Sequence, residues 1–285
     1  MNKIKLIECP RDAMQGMDNF VPTELKIEYI NLLLKTGFDT IDFGSFVSPK
    51  AIPQMRDTAE VLKGLKLNAK SKLLAIIANE RGAENALAFE EIDYLGYPFS
   101  VSEIFQVRNT NATIEQSLER VERIQNMVES KGKKLIVYLS MGFGNPYDEI
   151  WNPEIVLKWS KVLHEKIGIQ ILAPSDTVGC ANPDSVRSLF QTLIQELGSV
   201  EFGAHLHAPK EKVNALLEAA YSSGCRRFDS AIKGFGGCPM AKDDLTGNMP
   251  TELVQKFFTN KKIETGINEI NFDTAYSFSS RIFNV

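Results

Sequence analysis

Short β-rich runs alternate with longer amphipathic segments along the whole of this 285-residue chain. "IKLIEC" reads as a strand, and "PTELKIEYINLLLKTG" as the helix that follows it, closed by Gly37. The pattern repeats in "FDTIDFGSF" with "MRDTAEVLKGL", in "SKLLAIIAN" with "ERGAENALAFE", and in "EIDYLGYPFS" with "NATIEQSLERVERIQNMVESKGK". Leu118, Val121, Ile124 and Val128 give that last helix one apolar face. "KLIVYLSMGF", "IQILAPSD", "VEFGAHLH" and "CRRFDSAI" are four further strands, each with a helical segment behind it. Asn152–Pro153 and Asn182–Pro183 stand where an N-cap and a first helical residue belong. Strands separated by helices must run parallel, because the chain needs a crossover to re-enter the sheet in the same direction. About eight such units, with no linker or break in composition, predict one α/β domain over residues 1–285. The expected architecture is a closed (βα)₈ TIM barrel rather than an open doubly wound sheet. Periodicity weakens after about Gly266, so a short C-terminal extension is expected to pack across the barrel or to mediate assembly.

The formal net charge of −4 comes with no basic stripe, which argues against a nucleic-acid partner. No apolar run approaches the length of a bilayer span. "MNKIKLIECPRD" lacks the shape of a secretory signal. Cys9, Cys180, Cys225 and Cys238 lie far apart, with no CxxC pair, so neither a disulfide framework nor a cysteine-rich zinc site is expected. A reducing cytoplasm is the expected home.

Active sites of such barrels gather where strands end and the following loops begin. The polar residues predicted there are Arg11, Asp12 and Gln15; Asp42 and Ser45; Ser102, Glu103 and Asn109; Ser140; Asp176 and Thr177; His205 and His207; and Cys238 and Asn248. The chain has only three histidines, and "GAHLHAPK" sets two of them one residue apart, on one face of a strand. Asp12, His205, His207 and Asn248 make a mixed nitrogen and oxygen set suited to a hard or borderline divalent ion. Without thiolates it is not a structural zinc site, and it leaves positions open for water or a chelating substrate. Taken singly, Asp12 also reads as a loop carboxylate or helix cap, Asn248 as a turn residue, and His164 as a packing histidine. Arg11 reads equally as a solvated loop residue or as a fixed guanidinium for a developing oxyanion. Cys238, in "GFGGCP", is either a proton-donating thiol on a movable loop or a small residue in a tight turn.

"PRDAMQ", "SFVSPKAIPQM", "SDTVG", "HLH" and "KGFGGCPMAKDDLTGN" come in the order and roughly at the separations found in 3-hydroxy-3-methylglutaryl-CoA lyases. The chain resembles that family, within the TIM-barrel metallolyases, over nearly its whole length. The resemblance implies a (βα)₈ barrel that uses Mg²⁺ or Mn²⁺ to cleave a β-hydroxy acyl-CoA. It implies Asp12, His205, His207 and Asn248 as metal ligands, Arg11 as the enolate-stabilising residue, Cys238 as a mobile-loop catalytic cysteine, and Asp42 and Asp176 as active-site acids. The chain departs from the family pattern at Cys9, Ala13 and Met14 around "PRD", at Ala208 where an acid tends to follow the second histidine, and at Ile136 where an arginine often stands.

The expected reaction is cleavage of 3-hydroxy-3-methylglutaryl-CoA to acetoacetate and acetyl-CoA, as in leucine and ketone-body metabolism. His205 or Asp42 would remove the hydroxyl proton. The alternatives are a lyase or condensing enzyme of the same superfamily acting on another β-hydroxy acyl-CoA or a 2-oxo acid, and a non-catalytic binding barrel. Synthases of the superfamily commonly carry a C-terminal regulatory domain for which this chain has no room, which favours the lyase. The expected partners are an acyl-CoA and a second copy of the chain in a homodimer, with no membrane or nucleic acid.

Overall fold

The computed structural model describes residues 3–68, 70–237 and 247–283. Eight parallel strands close into a barrel in sequence order: β1 (Lys5–Glu8), β2 (Thr40–Ser45), β3 (Lys72–Ile76), β4 (Tyr94–Ser100), β5 (Lys134–Ser140), β6 (Ile171–Pro174), β7 (Glu201–Ala204) and β8 (Arg227–Ser230). The helices are α1 (Pro10–Gln15), α2 (Thr23–Thr36), α3 (Thr58–Lys63), α4 (Glu80–Leu87), α5 (Glu103–Thr110), α6 (Ile114–Ser130), α7 (Pro153–Lys161), α8 (Pro183–Glu196), α9 (Val213–Ser222), α10 (Thr251–Asn260) and α11 (Glu269–Phe283). The expected closed barrel is the one found. Among the described residues, no helix is long and apolar enough to cross a membrane.

Local chemistry sets the helix ends. The Asn152 side chain accepts from the Ile155 N–H and Asn182 from those of Asp184 and Ser185, each ahead of a proline that lacks the N–H the cap would otherwise have to satisfy. Thr113 and Gln116 form a reciprocal capping box on α6. Gly37 ends α2 at φ 99°, and a Cβ there would meet the Gly266 carbonyl oxygen at 2.5 Å. Four features differ from the sequence reading, the first being that "PRDAMQ", read as the loop after β1, forms α1. α5, capped by Ser102 on the Phe105 N–H, occupies what reads as loop, because eight residues that bury only Phe105 and Gln106 show little periodicity. β7 stops at Ala204, so both histidines lie beyond its regular pairing. The tail after Gly266 forms α11, which lies along α2, with Phe278 stacked on Tyr29 at 6.2 Å and Phe272 against Phe38 at 6.5 Å.

Side chains alternate along a strand, so barrel register decides what fills the interior. The large core lies between the outer strand faces and the helices. A smaller cluster of Leu74, Ile76, Tyr94, Ile136, Tyr138, Ile171 and Ala173 fills part of the barrel. Ile136 is fully buried in it, where an arginine would need a buried counter-charge. Opposite Lys5 stands Arg227, and opposite Ile7 stands Asp229. At this end Glu201 bridges Lys5 at 2.6 Å and Arg227 at 3.3 Å. Gly203 is level with Arg227, and a Cβ there would come within 3.1 Å of the arginine's Cδ, so the missing side chain makes room for the guanidinium stem.

Candidate active site

α1 starts directly after β1, with Pro10 at its first position, and carries Arg11 and Asp12 into the barrel mouth. His205 continues β7 through one backbone bridge to Ser175. His207 pairs with Asn248, and the Ala208 N–H donates to the Gly247 carbonyl at 3.1 Å. That clamp brings the segment after β8 onto the end of β7. The Asn248 amide donates to Asp12 Oδ2 at 2.6 Å and to the Phe235 carbonyl at 2.9 Å, leaving its oxygen as the one atom of the side chain able to ligate a cation. Asp12, His205 and His207 each offer a donor atom, and these lie within 4.8 Å of one another. Asp12, His205 and His207, from opposite ends of the chain, thus meet at one point, and Asn248 joins them through its hydrogen bond to Asp12.

His207 tests whether a cation fits. Its ring is 4% exposed, and neither nitrogen has a hydrogen-bond partner of ordinary geometry, although the Thr177 backbone lies near enough to favour the charged form slightly. Burial, reinforced by His205, lowers its pKa to about 4, so the imidazole is neutral with a lone pair free. Burial alone would raise the Asp12 pKa, but Arg11, the two histidines where they are charged, and the Asn248 hydrogen bond outweigh it and lower the pKa. A neutral imidazole with unsatisfied nitrogens beside a stabilised carboxylate suits a divalent ion.

The Arg11 guanidinium is fully committed on three sides. Nε reaches both Asp42 oxygens at 3.2 and 3.0 Å, Nη2 also bonds Asp42, and Nη1 reaches Asp12 Oδ1 at 2.9 Å and Gln15 Oε1 at 2.8 Å. Four of its five N–H groups are used, so one on Nη2 remains. Burial pushes the Asp42 carboxyl up to about 6, against the pull of Arg11.

A cavity of about 300 Å³ opens here, lined by Arg11, Asp12, His205 and His207 together with apolar groups including Ile76 and Pro98. "SFVSPKAIPQM" supplies Val47, Ala51 and Ile52 to its wall, while Gln54 of the same motif braces the preceding loop by accepting from the Val21 N–H at 2.8 Å. Asn109, Ser140 and Thr177 also reach the cavity. Three predicted acids are not among the lining residues, and Glu103 instead accepts from the Ile114 N–H at 3.1 Å. Asp42 sits behind Arg11, and Asp176 turns into its own loop to accept from the N–H groups of Cys180 at 2.9 Å and Ala181 at 3.0 Å, with burial raising it to about 6. Cys238 lies outside the described residues. Ala208 is buried, 5% exposed.

Sequence reasoning missed two contacts. Tyr138 sets its ring edge-on to His205 at 5.5 Å. Asp229 places Oδ2 at 3.1 Å from His205 Nδ1. A charged residue two positions from Arg227 in the apolar strand "CRRFDSAI" was the available signal.

The HMGL-like family model matches residues 3–278. The chain belongs to the HMGL-like family. Bovine mitochondrial hydroxymethylglutaryl-CoA lyase is 32% identical over 93% of this chain and 81% of the bovine protein. Rat cytoplasmic 3-hydroxy-3-methylglutaryl-CoA lyase is 32% identical over 93% of this chain and 77% of the rat protein. An HMG-CoA lyase from Acinetobacter baumannii, solved in complex with coenzyme A and 3-methylmalate, matches at a TM-score of 0.92 and 29% identity, covering 99% of this chain and 92% of that one. The lyase family expected from the motifs is therefore the family found, and this HMGL-like chain is a lyase-type enzyme.

Proposed function

We propose that this HMGL-like enzyme cleaves 3-hydroxy-3-methylglutaryl-CoA to acetoacetate and acetyl-CoA with Mg²⁺ or Mn²⁺ bound. The observation that carries the reading is the convergence of Asp12, His205 and His207 at the mouth of a cavity, with His207 buried and without a partner. These three, with the Asn248 amide oxygen, would hold the cation, which when bound supplies Lewis-acid polarisation of substrate oxygens.

His205 was expected both as ligand and as base. With Nδ1 facing Asp229, only Nε2 is left, and one nitrogen cannot serve both purposes in the same step. We assign His205 to the cation. That leaves Asp42 to take the hydroxyl proton, and a pKa near 6 suits a base at neutral pH. Arg11 lies between Asp42 and the cavity, so proton transfer is coupled to the turning of the guanidinium toward the enolate oxygen. As the hydroxyl carbon becomes a ketone, the C–C bond breaks and its electron pair passes to the thioester enolate. The free Nη2 hydrogen of Arg11 stabilises that oxygen. Cys238 is the proposed proton donor to the enolate carbon, and Asp176 supports the reaction by shaping the loop that carries Thr177.

The same reading has one catalytic barrel spanning residues 1–285, working in the cytoplasm as a homodimer on an acyl-CoA. Purified protein supplied with this thioester and with Mg²⁺ or Mn²⁺ is expected to release acetoacetate. No acetoacetate with either ion would overturn the substrate assignment.

A further inference from the structure

We propose that Asp229 is a positioning residue for the cation site, holding the His205 ring so that Nε2 faces Asp12 and His207. The inference rests on the metal chemistry proposed for that site and adds a residue behind it.

An ionised carboxylate can only accept a hydrogen bond. With Asp229 Oδ2 at 3.1 Å from Nδ1, the His205 proton belongs on Nδ1, and Nε2 is left with its lone pair. The two histidines differ here. His207 finds no partner for either nitrogen, so a cation alone would fix its ring. His205 is oriented by the fold beforehand, with Asp229 at one nitrogen and the Tyr138 ring at its edge, 5.5 Å away.

The placement of Asp229 follows from barrel register. It is 1% exposed and points inward from β8, level with Ile7 and two residues beyond Arg227. Burial alone would lower the Arg227 pKa, but Asp229 and Glu201 reverse this by their charge. Lys5, Glu201, Arg227 and Asp229 therefore alternate in sign along the barrel interior, with the His205 ring next in the row. Asp229 stands in this column between the buried guanidinium and the imidazole, which lets a carboxylate be kept so far from water.

A second arrangement competes with this one. Cys9, His205 and Asp229 also offer donor atoms within 4.8 Å of one another, and Asp229 Oδ1 is buried without a partner. A thiophilic ion held there would make Asp229 a direct ligand. Mg²⁺ and Mn²⁺ prefer oxygen and imidazole to sulfur, which favours the outer role.

The test is direct Mn²⁺ titration, followed by electron paramagnetic resonance of the free ion, of wild type, Asp229→Asn and Asp229→Ala. Kd is expected to rise about 10–100-fold in Asp229→Ala and less in Asp229→Asn, whose amide oxygen still accepts from Nδ1. Asp229→Asn is nearly isosteric, so its thermal transition is expected to stay close to wild type. A purely structural role would lower the transition temperature and leave Kd in place, and wild-type Kd in both variants overturns the proposal. The Co²⁺-loaded protein is expected to show no sulfur-to-cobalt charge-transfer band. Such a band, lost in Cys9→Ser, would put the ion on Cys9 and Asp229 and overturn the proposal as well. Wild type that binds no Mn²⁺ overturns both this inference and the metal site. Tight Mn²⁺ binding weakened at Asp229, but without acetoacetate formation, overturns only the substrate reading.

Discussion

Arg11 holds Asp42 in a forked ion pair, with Nε 3.0 and 3.2 Å from the two carboxylate oxygens and Nη2 closing the second arm. The pair joins α1, just after β1, to the middle of β2, and before substrate enters it points the guanidinium along one direction in the cavity wall. A lysine would keep the charge but lose the planar fork that fixes it. Arg11→Lys is expected to lower kcat about 10²–10³-fold, the usual loss for one oxyanion donor. Steady-state kinetics with saturating Mn²⁺ check this, and a kcat within threefold of wild type would remove Arg11 from the reaction.

His207 is the ligand whose removal separates metal binding from folding. In the metal-free protein its imidazole is a buried polar group without partners, which costs stability. His207→Leu is expected to leave the metal-free thermal transition unchanged or higher. It is also expected to abolish the rise in transition temperature that Mn²⁺ confers on wild type through preferential binding to the native state. Differential scanning fluorimetry with and without Mn²⁺ reads both. A wild-type Mn²⁺ increment in the variant would take His207 out of the ligand set.

Glu8 predicts a pH dependence of stability. It points outward from β1 beneath α10, accepts from the Ile232 N–H at 2.8 Å, and lies 2.6 Å from Thr251 Oγ1. Burial raises its pKa from 4.5 to about 8. The carboxyl is thus held neutral in the fold at a pH where the unfolded chain ionises it. Its contribution is fully present below about pH 4.5 and is lost as pH rises through about 8. Wild type is expected to lose on the order of 3–4 kcal/mol relative to Glu8→Gln between pH 5 and 8. Urea unfolding of both proteins at the two pH values measures the difference, and parallel pH profiles would contradict it.

Gly37 predicts a backbone effect far from the cavity. Alanine there must take φ 99° and bring its Cβ within 2.5 Å of the Gly266 oxygen, at the junction of α2 and the segment leading to α11. Gly37→Ala is expected to destabilise the protein by about 2 kcal/mol or more. Thermal unfolding checks this, and the cavity residues are expected to retain their Mn²⁺ affinity.

The barrel itself was readable in the chain. Alternation between a two-residue and a 3.6-residue apolar period is local, and parallel pairing follows from the helical crossovers. Asn–Pro caps and Gly37 are equally local, so they stand in the structure where the sequence puts them, while the HxH pair falls just past the end of β7. The convergence of Asp12, His205, His207 and Asn248 followed from one global rule, that strand ends of a barrel share a face. Tertiary structure alone decided which of the polar strand-end residues reach the cavity and which brace it. Asp42 lies behind Arg11, Asp176 closes its own loop, and Asp229 backs His205. The spacing of residues in sequence limits the face on which a side chain can lie. Its partner, 31 residues away for Asp42 and 24 for Asp229, is set by the register and curvature with which eight strands close on one another.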